Sequence, residues 1–211
     1  HAALTEPVCV AFNAIVEKSR PRPGDHAVVL GPGPIGLLAV QVLRLCGPAR
    51  ITLVGLRADA SRLELAKQMG ADEVIIADED DAVARVRSYG DGFGADLVVD
   101  AVGISATLDQ SLDMVRPNGQ ITKIGWGPAP VGFSLDRLVG KAATLQGSFS
   151  HTYSTWERAL ALMASRQINV APLVSLFSLE EWHAGFEAME RLEIAKAVLL
   201  PNGEDLAEAG R

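Results

Sequence analysis

His26-Ala-Val-Val-Leu30, Gly31-Pro-Gly-Pro-Ile-Gly36 and Leu37-Leu-Ala-Val-Gln-Val-Leu-Arg-Leu-Cys46 follow one another without a break. The first stretch is a short apolar run of strand character. The last is long enough for a helix and nearly all apolar. The six residues between them carry glycine at the first, third and sixth positions. In such a turn the first glycine permits a tight bend. The second lets a pyrophosphate approach the backbone, and the third lets the helix pack on the strand. The free amides and the dipole of the new helix then face the anion. Pro34 falls near the first helical turn, where a missing N–H costs little. Glycine spacing alone also occurs in turns that bind nothing. The strand before it and the helix after it make Gly31, Gly33, Pro34, Ile35 and Gly36 a dinucleotide-binding turn.

The same alternation extends outward in both directions. Apolar runs recur at Arg50–Val54, Glu73–Ala77, Gly94–Asp100 and Gln120–Gly125, with a sixth at Ala142–Gly147. Helical stretches at Ala58–Met69, Asp80–Tyr89 and Ser105–Val115 separate them, the last with Ser105 as its cap. Continuous Val/Ile/Leu runs mark strands covered on both faces. Strands alternating with helices imply parallel crossovers, so the spacing predicts an α/β fold with a doubly wound parallel six-stranded sheet. The C-terminal part breaks the rhythm. Thr152–Ser165 reads as a helix, Asn169–Pro172 as a break, and Ser178-Leu-Glu-Glu181 as a capping box for a helix through Met189. Ile194–Leu200 reads as a strand and Asp205–Arg211 as a polar tail.

The end of the second strand bears on the choice of coenzyme. An acid about 20 residues past the glycines holds the adenosine ribose of NAD. Here Gly55 stands in that place, followed by Arg57 and Arg62. Without the carboxylate a 2′-phosphate is not repelled, and an arginine can pair with one. NADP(H) is therefore favoured over NAD(H); the competing readings are that Arg57 is a solvated loop charge and that Asp59 serves NAD. A short-chain dehydrogenase is disfavoured, because Phe93 and Glu157 stand where Tyr89 and Tyr153 would need a lysine.

Composition narrows the class. The chain has 211 residues, 48% hydrophobic and 21% charged, which suits a globular core rather than disorder. A formal charge of -7 disfavours nucleic acid as a partner. No apolar run is of membrane-spanning length. Cys9 and Cys46 share no metal-ligand spacing and read as buried thiols in a reducing cytoplasm. A start at His1 in mid-pattern suggests a processed protein, a domain or a fragment.

Several stretches together resemble the zinc-containing medium-chain alcohol dehydrogenases, especially the polyol (sorbitol-like) and threonine dehydrogenase branch. They are Leu4-Thr-Glu-Pro-Val8, the Pro23-Gly-Asp25 turn, the glycine turn, Arg62–Asp72, Asp96–Gly103, Val115–Gly119, Gln146-Gly147, Thr155-Trp156 and Ala195-Lys-Ala-Val-Leu199. The resemblance implies that the chain is the C-terminal portion of a longer enzyme whose catalytic domain is split around the coenzyme domain. Residues 1–20 would then be a remnant of the catalytic domain with a linking helix, 21–165 the Rossmann domain, 166–201 a segment returning to the catalytic domain, and 202–211 a tail. It implies further coenzyme contacts at Ala101, Val102 and Gly103, at Ile124 and Gly125, and at Ser148 and Phe149. Glu6 would be the surviving residue of the zinc site, or else a glutamate that serves the helix dipole. The full-length enzyme would use zinc to move a hydride between a secondary alcohol and the nicotinamide, while this chain alone would be inactive. Two alternatives stand beside this reading. One is a dinucleotide-binding module without catalysis, the other a zinc-independent quinone-reductase-like enzyme. A homodimer or homotetramer through the sixth, edge strand is also implied.

Overall fold

Alternate residues of the first strand, β1 (His26–Leu30), go to opposite sides of the sheet. Ala27 and Val29 join one apolar core, Val28 and Leu30 another. A strand with a core on each face has no solvent side, which is why its sequence runs apolar without alternation. The computed structural model describes residues 1–201, so the tail expected at 202–211 lies outside the described residues. Five more strands join β1: β2 (Arg50–Gly55), β3 (Glu73–Ile76), β4 (Ala95–Asp100), β5 (Val115–Lys123) and β6 (Thr144–Gly147). Every pairing is parallel, and the order is β3-β2-β1-β4-β5-β6. This is the doubly wound α/β sheet of the sequence reading, with its topological reversal between β1 and β4.

The helices follow from local chemistry with some corrections. α1 (Thr5–Phe12) continues through a π-helical turn at Asn13–Glu17. α2 (Pro34–Cys46) starts on its proline and ends at Gly47, whose φ of 79° supplies the left-handed stop. α3 (Ala60–Gln68) and α4 (Ala82–Arg87) follow, and the Asp81 carboxylate caps α4 through the Ala84 N–H at 2.9 Å. α5 (Ser105–Met114) is preceded by Ile104, so Ser105 is not its cap; its hydroxyl accepts the Gly132 N–H at 3.4 Å instead. α6 (Asp136–Gly140) leads into β6, and α7 (Tyr153–Ala164) lies against α1. β5 begins earlier than the apolar run: Val115 pairs with Ala95, and the register then shifts across Pro117-Asn118-Gly119. It also ends earlier, so Ile124 and Gly125 belong to the loop beyond.

Leu4, Val8, Cys9, Phe12 and Ile15 pack into the same core as α2. The N-terminal stretch thus shares an apolar core with α2. Cys9 is fully buried as expected, and burial, with Glu6 adding to it, pushes its thiol up to about 11. Cys46 is only half-buried, because it sits in the last turn of α2.

The C-terminal residues form a second, two-stranded parallel sheet, β7 (Val174–Ser178) with β8 (Lys196–Leu200), joined by α8 (Trp182–Glu190). The sequence reading contained no strand at β7. Half of the capping box at Ser178 forms, the Glu181 carboxylate accepting the Ser178 N–H at 3.0 Å, but α8 starts later, with Glu181 itself in the cap position.

Candidate coenzyme-binding site

The loops that follow β1, β2 and β4 surround a cavity of about 420 Å³ at the C-terminal ends of these strands, whose walls include Gly31, Gly33, Gly55, Ala101 and Val102. A crevice at this point of a doubly wound sheet is where ligands bind. A smaller hollow of about 290 Å³ near Arg22, Asp96 and Arg116 lies at the opposite, N-terminal ends of the strands.

The three glycines of the turn do different work. Gly31 has φ 94°, and a Cβ there would lie 2.5 Å from Val102 Cγ2. A Cβ on Gly36 would collide with the Gly31 carbonyl oxygen. These two are demanded by the protein's own packing. Gly33 faces no protein atom within 4 Å of where a Cβ would stand. It is also the N-cap of α2 and makes no side-chain capping bond. The turn is thus held tight at both ends and open in the middle, at the start of a 13-residue helix, which fits a diphosphate. Pro34 and Ile35 form the first turn of that helix.

The second part of the site is built from the loops after β4 and β5. Asp100 is fully buried, and its Oδ1 accepts the N–H groups of Val102 (3.1 Å) and Gly103 (2.8 Å). Lys123, which the sequence reading passed over, donates from Nζ to the carbonyls of Gly103 (2.7 Å) and Gly125 (2.5 Å). Its signal was present: a lone cation closing an apolar strand. The two loops touch so closely that a Cβ on Gly103 or Gly125 would meet the other loop's backbone. Beyond them a cavity of about 360 Å³ collects Lys123, Ile124, Gly125, Trp126, Ser148 and Phe149. Trp126 and Phe149 are largely exposed and stack at a tilt, ring centroids 5.8 Å apart. The Ser148 hydroxyl accepts from the buried Asn13 Nδ2 at 3.3 Å, tying the site to the N-terminal helix.

The two arginines diverge. Arg62 is buried, and its guanidinium donates to the carbonyls of Ile194 (2.7 Å and 3.2 Å) and Met189 (3.1 Å). Its expected contact with a 2′-phosphate is corrected: those donors hold the C-terminal unit in place. Arg57 lies outside the cavity wall and pairs with Glu79, while its backbone N–H donates to Asp78 Oδ1 at 2.8 Å. Asp59 lines the cavity, and its Oδ2 accepts the Leu56 N–H at 3.0 Å.

Glu6 is exposed in the first turn of α1, with His151 Nδ1 3.8 Å away and the His151 ring edge-on to Trp156. Among the described residues no three His, Cys, Asp or Glu side chains stand close enough to hold a metal ion. The described residues therefore do not by themselves fit a zinc site.

A parallel sheet of this order, with an open glycine turn at its reversal point, defines a Rossmann-type α/β domain. Residues 34–165 match the family described as zinc-binding dehydrogenase, more than half of the chain. The chain belongs to that family, the zinc-dependent medium-chain alcohol dehydrogenases. It is 34% identical over 200 residues to an uncharacterized zinc-type alcohol dehydrogenase-like protein of Escherichia coli, covering 94% of this chain and 56% of the relative. It is 35% identical over 202 residues to a sorbitol dehydrogenase of Halalkalibacterium halodurans, covering 95% and 58%. Among solved structures, the alcohol dehydrogenase TADH from Thermus sp. ATN1 superposes with a TM-score of 0.87 at 34% identity, covering 94% of this chain and 59% of that one. The chain thus spans less than two thirds of the length of these relatives. No helix among the described residues is long and apolar enough to cross a membrane.

Proposed function

We propose that the chain is the nicotinamide-dinucleotide-binding portion of a zinc-dependent alcohol or polyol dehydrogenase. The observation that carries this is Gly33, a helix-capping glycine facing open space between two glycines the fold cannot replace. In this reading the diphosphate lies on the first turn of α2 and the adenosine runs toward Gly55. The nicotinamide reaches the loops held by Lys123, beside Ile124, Gly125, Ser148 and Phe149. Bound nicotinamide supplies hydride chemistry, and the substrate is a small secondary alcohol. Zinc chemistry would need ligands from outside the described residues, with Glu6 contributing at most one.

A second reading keeps the binding and drops the turnover: as it stands, the chain is a dinucleotide module. A zinc-independent, quinone-reductase-like role receives no support, since the relatives reported above are a zinc-type protein and a sorbitol dehydrogenase. The unit is proposed to act in the cytoplasm and to pair through β6. Calorimetric titration with NADH and with NADPH tests the shared part. Binding of at least one is expected, and absence of heat with both would sink the proposal.

A further inference from the structure

Where the fold leaves an acid off the end of β2, it places others opposite. The loop after β3 reads Asp78-Glu-Asp-Asp81 and runs alongside the β2 turn. Two of its acids hold Arg57: Glu79 takes the guanidinium through both Nε and Nη2, and Asp78 takes the backbone N–H. Asp59 stands on the cavity wall nearby. With Arg62 committed to the C-terminal carbonyls, Arg57 is the cation that the β2 turn offers to a 2′-phosphate.

We propose that Glu79 is a specificity-determining residue of the coenzyme site, occupying Arg57 and so opposing coenzymes that carry a 2′-phosphate. The inference rests on the dinucleotide reading above and deepens it. Arg57 and Glu79 are 65% and 39% exposed. An ion pair that open to water is weak, and a phosphate dianion offering two oxygens to a guanidinium competes with it. To bind NADPH, the arginine must leave Glu79, an obstacle that NADH does not meet. Glu79 acts from across the turn, on a different strand's loop from the position where an acid is ordinarily sought.

The test is a double-mutant cycle on this chain, with NADPH and NADH titrated calorimetrically into wild type, Glu79→Gln, Arg57→Ala and the double variant. Both side chains are exposed, and circular dichroism checks that each variant folds. Glu79→Gln is expected to tighten NADPH by about fivefold, the equivalent of a surface ion pair released, and to leave NADH within about twofold. In the Arg57→Ala background the same substitution is expected to give a clearly smaller gain. Equal gains for NADPH and NADH, an equal gain with and without Arg57, or no gain at all would overturn the proposal. If wild type binds neither coenzyme, the dinucleotide reading itself fails, and this inference with it. Repeating the cycle with 2′,5′-ADP against AMP confines the effect to the adenosine half, and a gain for both fragments would also overturn it.

Discussion

At the scale of single residues the glycine turn separates two roles that one motif conflates. Gly36→Ala forces a Cβ into the Gly31 carbonyl oxygen, so a loss of stability of about 2–4 kcal/mol is expected by urea unfolding. Gly33→Ala meets open space, so the same measurement should show a change below about 1 kcal/mol, while NADH binding weakens at least about tenfold. His26 offers an independent test through pH. It is buried, with Nε2 3.0 Å from Thr52 Oγ1 and its ring edge-on to Tyr89. Burial, then the nearby Arg50, pushes its pKa down from 6.5 to about 4, against the opposing pull of Asp96 and Glu73. Between these values the unfolded chain binds a proton that the folded chain refuses. The contribution is therefore intact above pH 6.5 and falls as pH drops toward 4, by up to about 3 kcal/mol. Unfolding free energies measured from pH 7 to 4 should slope this way in wild type and flatten in His26→Gln. A wild-type profile no steeper than the variant's would contradict it.

At the scale of elements, buried and half-buried polar side chains join pieces whose backbones do not pair. Lys123 clasps the loops after β4 and β5. Lys123→Met leaves the carbonyls of Gly103 and Gly125 without that donor. It is expected to weaken NADH about tenfold while ADP-ribose, which lacks the nicotinamide, changes by less than about twofold. Equal weakening of both ligands would mean that the clasp serves the fold alone. Arg62 does comparable work for the β7–α8–β8 unit. Arg62→Met should cost about 2–3 kcal/mol and expose the 174–200 region to proteolysis before the large sheet is cut. The sequence reading handled these elements unevenly. Helix α2 was legible because Pro34 marks its first turn and its residues are nearly all apolar. Strand β7 was not, because Val174-Ser-Leu-Phe-Ser178 is short, only half-buried, and earns its pairing from β8 more than twenty residues later in the chain.

At the scale of the whole molecule, the two edges of the sheet are treated differently. β3 carries charge, with Glu73 bridged to Arg50 and Arg85. Near β6 some exposed side chains are apolar, notably Val139 at 80% exposure on α6 just before the strand. An open apolar edge invites a second copy, whereas charge discourages one. Light scattering at micromolar concentration is expected to give a dimer for wild type and a shift toward monomer for Val139→Asp, with coenzyme binding retained. A wild-type monomer would count against pairing at this edge. The sequence by itself determined the parallel doubly wound class and the glycine turn, because each is written in contiguous residues whose periodicity and sterics act locally; the family was legible only as the resemblance of several stretches taken together. Only the tertiary structure decided what the charged groups do. Arg57 and Arg62 look alike in sequence, yet one meets Glu79 from the next crossover and the other the carbonyls of a distant C-terminal unit. Electrostatic and hydrogen-bonding partners are chosen by distance in space, and spacing along the chain does not encode that distance.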